Sequence, residues 1–434
     1  MLTLTPMTEP VLAAWLVQLE KQHPKSIDLG LERVRAVANQ LDLLNPSYKT
    51  ITVAGTNGKG SCVASLDQLL RDQGLSVGVY TSPHLRHYNE RIVIDGEPAS
   101  DNDIVMAFSA IEKASVEVDV SLSYFEYATL AGLWLFKRAG VSWQILEVGL
   151  GGRLDAVNII DADACVVTSI GLDHTEWLGD SRDLIAIEKA GVARQARPAV
   201  IAESDVPETL RATLEALDAR VYQVGREWQL HDSQLTLPSG LTLPLVLPKG
   251  LQPQNVAAAA VVLDVLGVNQ GASAIRASLS TVQVAGRQQQ LSWCDRDVWC
   301  DVAHNRESVE ALVAALDAEP SQGACHAVFA GMSDKPLLDM INLMSSHVNY
   351  WHLPPLSGLA RAAEPEAVAA LLGEQRCKCY DSIENLSSRL FDATEAGDRI
   401  VVFGSFVTVG ALLSQFDQRP SPITPPLNLG ADAQ

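Results

Sequence analysis

A glycine-rich turn with a single lysine is the segment of this sequence best suited to bind phosphate groups. Residues 55–61 read Gly-Thr-Asn-Gly-Lys-Gly-Ser and follow an apolar run at 50–54, which predicts a buried strand. Glycines let backbone N–H groups close around phosphate oxygens, and a following helix directs its positive end at them. Lys59 would neutralise charge on the β- and γ-phosphates, and the Ser61 hydroxyl would lie near Mg²⁺. The alternative is an ordinary strand-to-helix turn, because Gly60 separates Lys59 from Ser61 and departs from the usual P-loop spacing.

Three further side chains could take part in chemistry, although each also has an ordinary structural interpretation. Glu147 ends an apolar strand beside a Gly-rich turn, where its carboxylate could reach a cation or simply face solvent. His174 lies in a polar loop, where a single histidine is more often a loop or capping residue. Lys189 lies on a predicted helix, and lysines are almost always exposed.

Helix and strand signals alternate along most of the chain and predict an α/β fold. In the first half of the chain, the spacing of apolar residues predicts five helices and five strands, with the strands forming a central, mostly parallel sheet. The predicted helices are 9–22, 30–43, a helix after residue 60 that stops at Gly74, 124–139 and 183–193, and the predicted strands are 50–54, 77–80, 144–148, 165–169 and 199–202.

Residues 221–248 change character, with short β segments broken by Pro and Gly. They predict a small antiparallel appendage made of 221–224, 234–237 and 241–247, followed by helices at 254–266 and 272–280. The alternating pattern then restarts and predicts a smaller, Rossmann-like α/β domain. The expected division is a P-loop mononucleotide-binding domain at 1–285, a C-terminal α/β domain at 286–417 and a disordered tail at 418–434.

Six short segments carry a consistent pattern across about residues 15–410. They are 52–61 (Thr-Val-Ala-Gly-Thr-Asn-Gly-Lys-Gly-Ser), 81–85 (Thr-Ser-Pro-His-Leu), 147–158 (Glu-Val-Gly-Leu-Gly-Gly-Arg-Leu-Asp-Ala-Val-Asn), 172–179 (Leu-Asp-His-Thr-Glu-Trp-Leu-Gly), 188–191 (Glu-Lys-Ala-Gly) and 301–305 (Asp-Val-Ala-His-Asn). Their order and composition resemble those of the folylpolyglutamate synthase/dihydrofolate synthase family, within the Mur-ligase superfamily.

The resemblance implies a magnesium site and a modified lysine. Ser82, Glu147 and His174 would hold Mg²⁺; oxygen ligands suit this ion, and a histidine is acceptable where ATP phosphates complete the site. Lys189 would carry a carbamate, a carboxylate-like group able to bind a second Mg²⁺, and K⁺ is a further candidate ion. The expected catalytic residues are Lys59, Lys189 and His174, and the expected metal ligands are Ser61, Ser82, Glu147, His174 and carbamylated Lys189.

Residues outside the glycine-rich turn would complete the ATP site. Taken singly, Asn255, Arg287 and Asp301 would pass as a helix cap, a surface cation and a strand terminus. By resemblance the asparagine lies near adenine and Asp301 beside the ribose, while Arg287 could bind phosphate through two parallel hydrogen bonds. His304 is expected near the adenosine or the incoming amino acid. The expected ATP-binding set is Thr56, Asn57, Gly58, Lys59, Gly60, Ser61, Asn255, Arg287, Asp301 and His304.

Three segments resemble the dihydropteroate contacts of the bifunctional bacterial members. The first, at 28–30, would otherwise be interpreted as a helix start, because Asp28 is a good N-cap residue. Tyr124 and Phe125 could stack on a flat pterin, although an aromatic pair that opens a helix more often belongs to the core. The expected pteroate-binding residues are Asp28, Leu29, Gly30, Ser123, Tyr124, Phe125, Glu126, Leu154, Asp155 and Ala156.

Two positions depart from the family pattern. Arg306 stands where the family usually has proline after Asp-x-x-His-Asn, and Val407 stands where it has a histidine. The resemblance therefore implies no role for position 407 of this chain, either in glutamate binding or in any other function of that histidine.

Bulk composition excludes several classes of function. The 434 residues carry 32 basic and 52 acidic side chains, a formal net charge of −20, which opposes binding to nucleic acid or anionic membranes. No run of about 18 apolar residues could span a bilayer, and residues 1–10 do not resemble a signal peptide. We therefore expect a cytoplasmic protein, and a monomer, because a cleft between its two domains needs no partner.

The resemblance implies an ATP-dependent ligase that adds L-glutamate to dihydropteroate and to the γ-carboxylate of reduced folates through an acyl phosphate. The second domain would close over the first to exclude water. One alternative is folylpolyglutamate synthesis alone. Another is a Mur-type amino-acid ligase. Such an enzyme would normally need a distinct N-terminal domain for its nucleotide-linked substrate, whereas only a short segment precedes the glycine-rich turn here. A third is a P-loop ATPase switch without ligation.

Overall fold

The computed structural model describes residues 11–22, 28–268, 271–359 and 361–417. The chain divides into two compact units between Val284 and Ala285. The tail predicted at 418–434 and the first residues of the helix predicted at 9–22 lie outside the described residues.

The first unit is built on a large, mostly parallel sheet. Its strands are β1 (Lys49–Ala54), β2 (Val77–Tyr80), β3 (Ile92–Ile94), β4 (Glu97–Pro98), β5 (Trp143–Glu147), β6 (Ala164–Val167), β7 (Pro198–Ile201) and β8 (Arg220–Gln223). Among the described residues these eight strands run in the order β4-β3-β2-β5-β1-β6-β7-β8. The six strands β2, β5, β1, β6, β7 and β8 pair in parallel. Strands β3 and β4 extend the sheet beyond β2 with antiparallel pairing.

Helices cover both faces of this sheet. They are α1 (Leu12–Gln22), α2 (Glu32–Gln40), α3 (Lys59–Arg71), α4 (Asp101–Glu117), α5 (Tyr124–Ala139), α6 (Thr175–Leu178), α7 (Arg182–Ala190), α8 (Glu208–Ala216), α9 (Pro253–Val265) and α10 (Ala272–Ser280), with short 3₁₀ helices at Tyr88–Arg91 and Ala156–Ile159. One core packs α3, α9 and α10 against Ile51, Val53 and Ile145, and the other packs α1, α2, α4, α5, α7 and α8 on the opposite face.

The central strand β1 places the glycine-rich turn. It lies between β5 and β6, and Ile51 to Ala54 are buried. Because the three strands are parallel, the segments that leave their carboxyl ends emerge at one edge of the sheet, where open α/β sheets bind ligands.

The small β appendage differs in part from its prediction. It consists of β9 (Gln229–His231), β10 (Gln234–Thr236) and β11 (Thr242–Pro244), joined in antiparallel order. The assignment of 221–224 to this appendage was wrong, because these residues overlap β8, which pairs in parallel with β7 in the main sheet. Helix α8 supplies the crossover that a parallel pair requires.

The second unit is a smaller α/β unit. Its strands are β12 (Gln289–Trp293), β13 (Arg296–Cys300), β14 (Cys325–Phe329), β15 (Tyr350–Leu353), β16 (Cys377–Cys379) and β17 (Arg399–Phe403), and its helices are α11 (Arg306–Ala318), α12 (Leu337–Met344), α13 (Pro365–Leu372), α14 (Leu386–Ala393) and α15 (Phe406–Phe416). The strand order is β12-β13-β17-β14-β15-β16, and only β12 pairs in antiparallel fashion within the described ranges. The predicted α/β fold class is confirmed.

None of the helices in the described part of the chain is both long enough and apolar enough to cross a membrane.

Candidate active site

Two glycines shape the turn between β1 and α3. Gly58 precedes α3 with φ +86°, and a Cβ there would overlap the side-chain amide of Asn255 at the start of α9. Gly55 has φ +150°, and a Cβ there would overlap Oγ1 of Thr168. Both positions therefore require glycine for backbone conformation and for space. The turn and Asn255, which are distant in sequence, come together as expected for one nucleotide site.

The turn is held in shape by the segment that follows β6. The N–H of Asn57 donates to Oγ of Ser169 (2.9 Å), and Oγ1 of Thr168 donates to the carbonyl of Asn57 (2.7 Å). The N–H of Gly171 donates to Oγ1 of Thr56 (3.0 Å). Thr168 and Ser169 were not among the site residues predicted from the sequence, although their position directly after β6, the buried strand beside β1, was a usable signal.

Lys59 occupies the first turn of α3. Its Nζ donates to the carbonyls of Gly55 (2.9 Å) and Thr56 (3.1 Å), so the ammonium group lies against the glycine-rich turn. This position adds a full positive charge to the positive end of the helix, which favours an anionic group.

Lys189 is buried near the end of α7, unlike most lysines. Only 4% of it is exposed. Burial, reinforced by the positive charge of Lys59, lowers its pKa to about 7, while Asp173 and Asp155 act in the opposite direction. A lysine in this environment is largely neutral slightly above pH 7, and a neutral amine is the form that can react with carbon dioxide.

Asp155 organises the turn after β5. Its carboxylate accepts hydrogen bonds from the N–H groups of Gly149 (3.0 Å), Leu150 (2.9 Å) and Val157 (3.0 Å). Burial raises its pKa to about 6, although these hydrogen bonds and the charge of Lys59 oppose the shift. The neighbours Leu154 and Ala156 are thereby fixed at the same edge of the sheet as Lys59.

The same turn is packed tightly against α7. The N–H of Arg153 donates to the carbonyl of Glu188 (2.8 Å), and its side chain pairs with the Glu188 carboxylate (2.8 Å). A Cβ at Gly152 would overlap that carbonyl, and one at Gly191 would overlap the side chain of Arg153. This close approach fixes the backbone on both sides of Lys189 relative to Asp155.

Glu147 is buried rather than solvent-facing, and Ser82 lies beside it. The N–H of Ser82 donates to Oε2 of Glu147 (3.3 Å). Burial raises the pKa of Cys62 in α3, and the charge of Glu147 adds to this shift. Ser61, the residue before Cys62, is also buried. His174 precedes α6 in a left-handed conformation (φ +51°). No group of three His, Cys, Asp or Glu side chains within the described ranges is arranged as a metal site, and the expected set contains only two residues of these types.

The aromatic pair lies at the start of α5. Ser123 and Glu126 form a capping box, in which each side chain accepts a hydrogen bond from the other's N–H. Phe125 packs so closely on Gly149 that a Cβ there would meet its ring at 2.6 Å. The ring of Tyr124 meets that of Tyr88 edge to face, with centroids 6.0 Å apart. Both rings are partly buried, so they join the surrounding aromatic cluster and keep some surface exposed.

Asp28 does not cap a helix, so the capping interpretation was wrong. Helix α2 begins at Glu32, and its N-cap residue Leu31 makes no side-chain capping bond. Asp28 instead pairs with Arg33 (3.1 Å), which also pairs with Glu126 (3.2 Å). Arg33, which was not among the predicted site residues, thus connects the 28–30 segment to the start of α5.

The predicted residues of the second unit form their own cluster. Asp301 follows β13 and accepts hydrogen bonds from the N–H groups of Gln288 (2.9 Å) and Ala303 (2.8 Å). Burial raises its pKa, and the nearby Arg287 opposes that shift. The guanidinium of Arg287 lies 5.8 Å from the centroid of the Phe406 ring, and the ring of His304 lies 6.1 Å from the same centroid. Phe406, which was not among the predicted site residues, is thus a shared neighbour of Arg287 and His304.

The two departures from the family pattern lie at the starts of helices. Arg306 opens α11 and forms an exposed ion pair with Glu310 (2.9 Å). Val407 is the second residue of α15 and is 43% exposed. Asn305 caps α11 through its side chain, so the helix start is satisfied without the proline.

Comparison with known proteins shows the family to which this chain belongs. Residues 286–406 match the family described as "Mur ligase, glutamate ligase domain". The chain is 41% identical over 421 residues to the dihydrofolate synthase/folylpolyglutamate synthase of Escherichia coli (strain K12), covering 96% of this chain and 98% of that protein.

Two solved structures are similar over nearly the whole chain. One is E. coli FolC in complex with DHPP and ADP, with a TM-score of 0.88 and 41% identity over 95% of this chain and 99% of that chain. Another is a bifunctional folylpolyglutamate synthase/dihydrofolate synthase with Mn, AMPPNP and L-glutamate bound, with a TM-score of 0.86 and 38% identity over 96% and 100% of the two chains. The resemblance inferred from the six motifs is confirmed: the chain belongs to the dihydrofolate synthase/folylpolyglutamate synthase family.

Proposed function

We propose that this chain is an ATP-dependent ligase that adds L-glutamate to dihydropteroate and to the γ-carboxylate of reduced folates. The observation that carries the proposal is that Lys59 lies against the glycine-rich turn and that its charge acts on the buried amine of Lys189, in a chain that belongs to a family of such ligases. One lysine supplies charge for a phosphoryl group, and the other is an amine made reactive by burial. Relatives solved with ADP, DHPP and L-glutamate support the same substrates here.

ATP binds, in this proposal, at the turn before α3. The N–H groups of residues 56–61 and the Lys59 ammonium surround the β- and γ-phosphates. Asn255, fixed against Gly58, lies near the base. We assign Arg287 to a phosphate group and Asp301 to the ribose. His304 is assigned to the adenosine or to the incoming amino acid.

A divalent metal fits the residues at this edge of the sheet. Buried Glu147, Ser82 beside it and buried Ser61 offer oxygen donors, which Mg²⁺ prefers. His174 is the fourth proposed ligand, and carbamylated Lys189 would hold a second Mg²⁺; K⁺ is a further proposed ion. The metal would withdraw charge from the phosphate oxygens.

The reaction would proceed in two steps. A carboxylate oxygen of the acceptor attacks the γ-phosphorus of ATP, and the bond between this phosphorus and the bridging oxygen of the β-phosphate breaks. ADP is released, and the acceptor now carries an acyl phosphate. The amine of L-glutamate then attacks the acyl carbon, and phosphate departs with one oxygen of the original carboxylate. Lys59 offsets the charge that develops on the transferred phosphoryl group.

The pteroate end of the acceptor is assigned to three segments. The Phe125 ring, held against Gly149, offers a face for the flat pterin, with Ser123, Tyr124 and Glu126 around it. Asp28, Leu29 and Gly30 approach from α2, and Leu154, Asp155 and Ala156 from the turn after β5. A cytoplasmic location and a monomeric state are part of the proposal.

Release of phosphate from ATP, measured with L-glutamate and dihydropteroate, tetrahydrofolate or no acceptor, tests the proposal. We expect phosphate release only with an acceptor, with both acceptors active and a glutamylated product detected by mass spectrometry. Activity with tetrahydrofolate alone would restrict the chain to polyglutamate synthesis. Phosphate release that is independent of both acceptors would replace the proposal with an ATPase switch.

A further inference from the structure

One arginine joins two segments of the proposed pteroate site that are far apart in sequence. Arg33 lies in the first turn of α2. Its Nη1 lies 3.1 Å from Oδ2 of Asp28, and its Nη2 donates to the carbonyl oxygen of Asp28 (2.7 Å). The same Nη2 donates to Oε1 of Glu126 (3.2 Å). A single guanidinium thus spans from the 28–30 segment to the start of α5.

The far end of this bridge is rigid. Glu126 is 3% exposed, and its Oε2 accepts a hydrogen bond from the N–H of Ser123 (2.7 Å), while its own N–H donates to Oγ of Ser123 (3.3 Å). This capping box starts the helix that carries Tyr124 and Phe125. Arg33 therefore connects Asp28 to the backbone that sets the position of both aromatic rings.

The chemistry of this bridge is specific to arginine. Exposed ion pairs contribute little to stability, but the Glu126 carboxylate is buried, so Arg33 also balances a charge that would otherwise be unpaired. A planar guanidinium can hold a carboxylate, a carbonyl and a second carboxylate at fixed angles. A lysine provides one charged nitrogen and cannot reproduce all three contacts in the same geometry.

We propose that Arg33 is a positioning residue for the pteroate end of the acceptor. It fixes the 28–30 segment relative to Phe125, so that the space between them matches a flat bicyclic ring. The inference rests on the proposed function, because it assumes that these segments bind the acceptor. A purely structural tie would affect stability without a selective effect on the acceptor.

The test compares Arg33→Met with the matched variant Arg35→Met, which removes an exposed arginine from the same helix. With ATP and L-glutamate saturating, we expect Arg33→Met to raise the KM for dihydropteroate by about tenfold or more, since misplaced binding groups cost about that much. The KM for ATP and the KM values of Arg35→Met should stay within about twofold of wild type. Arg33→Lys, the second variant if Arg33→Met folds poorly, should raise the KM for dihydropteroate by a smaller factor.

A double-variant cycle with Asp28→Asn separates positioning from independent binding. If Arg33 acts through Asp28, the double variant should raise the KM no more than the stronger single variant does. The role of Arg33 would be overturned by any of three results. These are a rise in the KM for dihydropteroate in the double variant equal to the product of the two single-variant rises, a normal KM for dihydropteroate in Arg33→Met, or an equal rise in its KM for ATP. A normal KM in Asp28→Asn would instead reject the pteroate assignment of residues 28–30 and the inference with it.

Discussion

At the scale of single residues, the unusual feature is a buried lysine, Lys189, that lies within the electrostatic influence of a second lysine. Lys189 loses solvation on burial and is near the charge of Lys59, and both effects favour its neutral form. Asp155 and Asp173 compensate only in part. Two cations in one place would be costly unless one were neutral or converted to an anion. A carbamate on Lys189 would turn repulsion by Lys59 into attraction.

Incubation with ¹³C-labelled carbon dioxide tests this modification. The folded pKa of Lys189 is about 7, so the reactive neutral amine is the minor form at pH 6 and the major form at pH 8. We expect a ¹³C carbamate signal that grows over this interval and is absent in Lys189→Gln. The variant Lys137→Gln, which removes an exposed lysine, should retain the signal. A signal that survives in Lys189→Gln would reject the assignment.

Gly58 gives a second prediction at this scale. Alanine at Gly58 would have to adopt φ +86° and would overlap Asn255, so we expect Gly58→Ala to lower the unfolding free energy by at least ~1–2 kcal/mol. It should also weaken ATP binding. Gly60→Ala is the matched control for stability, because Gly60 is helical and, apart from its own helix and its chain neighbours, no described atom lies within 4 Å of a Cβ there. Urea unfolding measures both variants, and equal stability would contradict the packing described for Gly58.

At the scale of elements, the second sheet contains a row of buried polar side chains on, or next to the ends of, four neighbouring strands, β17, β14, β15 and β16. Nδ1 of His352 lies 2.7 Å from the Tyr380 hydroxyl, its Nε2 lies 3.0 Å from Nδ1 of His326, and Nε2 of His326 lies 3.6 Å from Oδ2 of Asp398. Burial, reinforced by His326 and Lys378, lowers the pKa of His352 to about 3. His352 is therefore neutral in the folded protein at neutral pH.

This row predicts how stability depends on pH. Unfolded His352 binds a proton below pH 6.5, whereas the folded form does so only near pH 3, so stability falls as the pH drops between these values. We expect His352→Gln to reduce the loss of unfolding free energy between pH 7 and pH 5 by ~2 kcal/mol. The exposed His231→Gln should behave like wild type. Identical pH dependence in His352→Gln and wild type, measured by urea unfolding, would contradict this account.

Most long elements could be predicted from the sequence, and the errors have physical causes. Helix α4 was not predicted, although Ser100 caps it and Ile104, Phe108 and Ile111 give it a buried face. Strands β3 and β4 span three and two residues, which is too short for a periodic pattern. The assignment of 221–224 failed because strand pairing is made by the backbone, and side-chain patterns do not identify the partner strand.

The candidate site was predictable as a set of residues but not as a set of contacts. Motifs identified Lys59, Asp155 and Lys189, since their local sequence context is distinctive. The bridge from Arg33 to Glu126 spans 93 positions, and no local pattern indicates it. Thr168 and Ser169 were missed for the same reason, because their function in shaping the turn depends on the neighbouring strand.

At the scale of the whole molecule, the strong negative charge makes local placement of cations decisive. With a net charge of −20, an anionic substrate is repelled by the surface as a whole. In the first unit, the proposed phosphate site counters this repulsion with Lys59 and the positive end of α3. Anion binding is therefore expected to depend on these few groups.

Transfer of ¹⁸O tests the central claim most directly. Dihydropteroate and a reduced folate, each labelled with ¹⁸O in the reacting carboxylate, are incubated with ATP, Mg²⁺ and L-glutamate, and the released phosphate is analysed by mass spectrometry. The acyl-phosphate reaction predicts one ¹⁸O in each phosphate released with either acceptor, and no such phosphate from Lys59→Met. Unlabelled phosphate, formed while ATP is consumed and glutamate is added, would contradict the account.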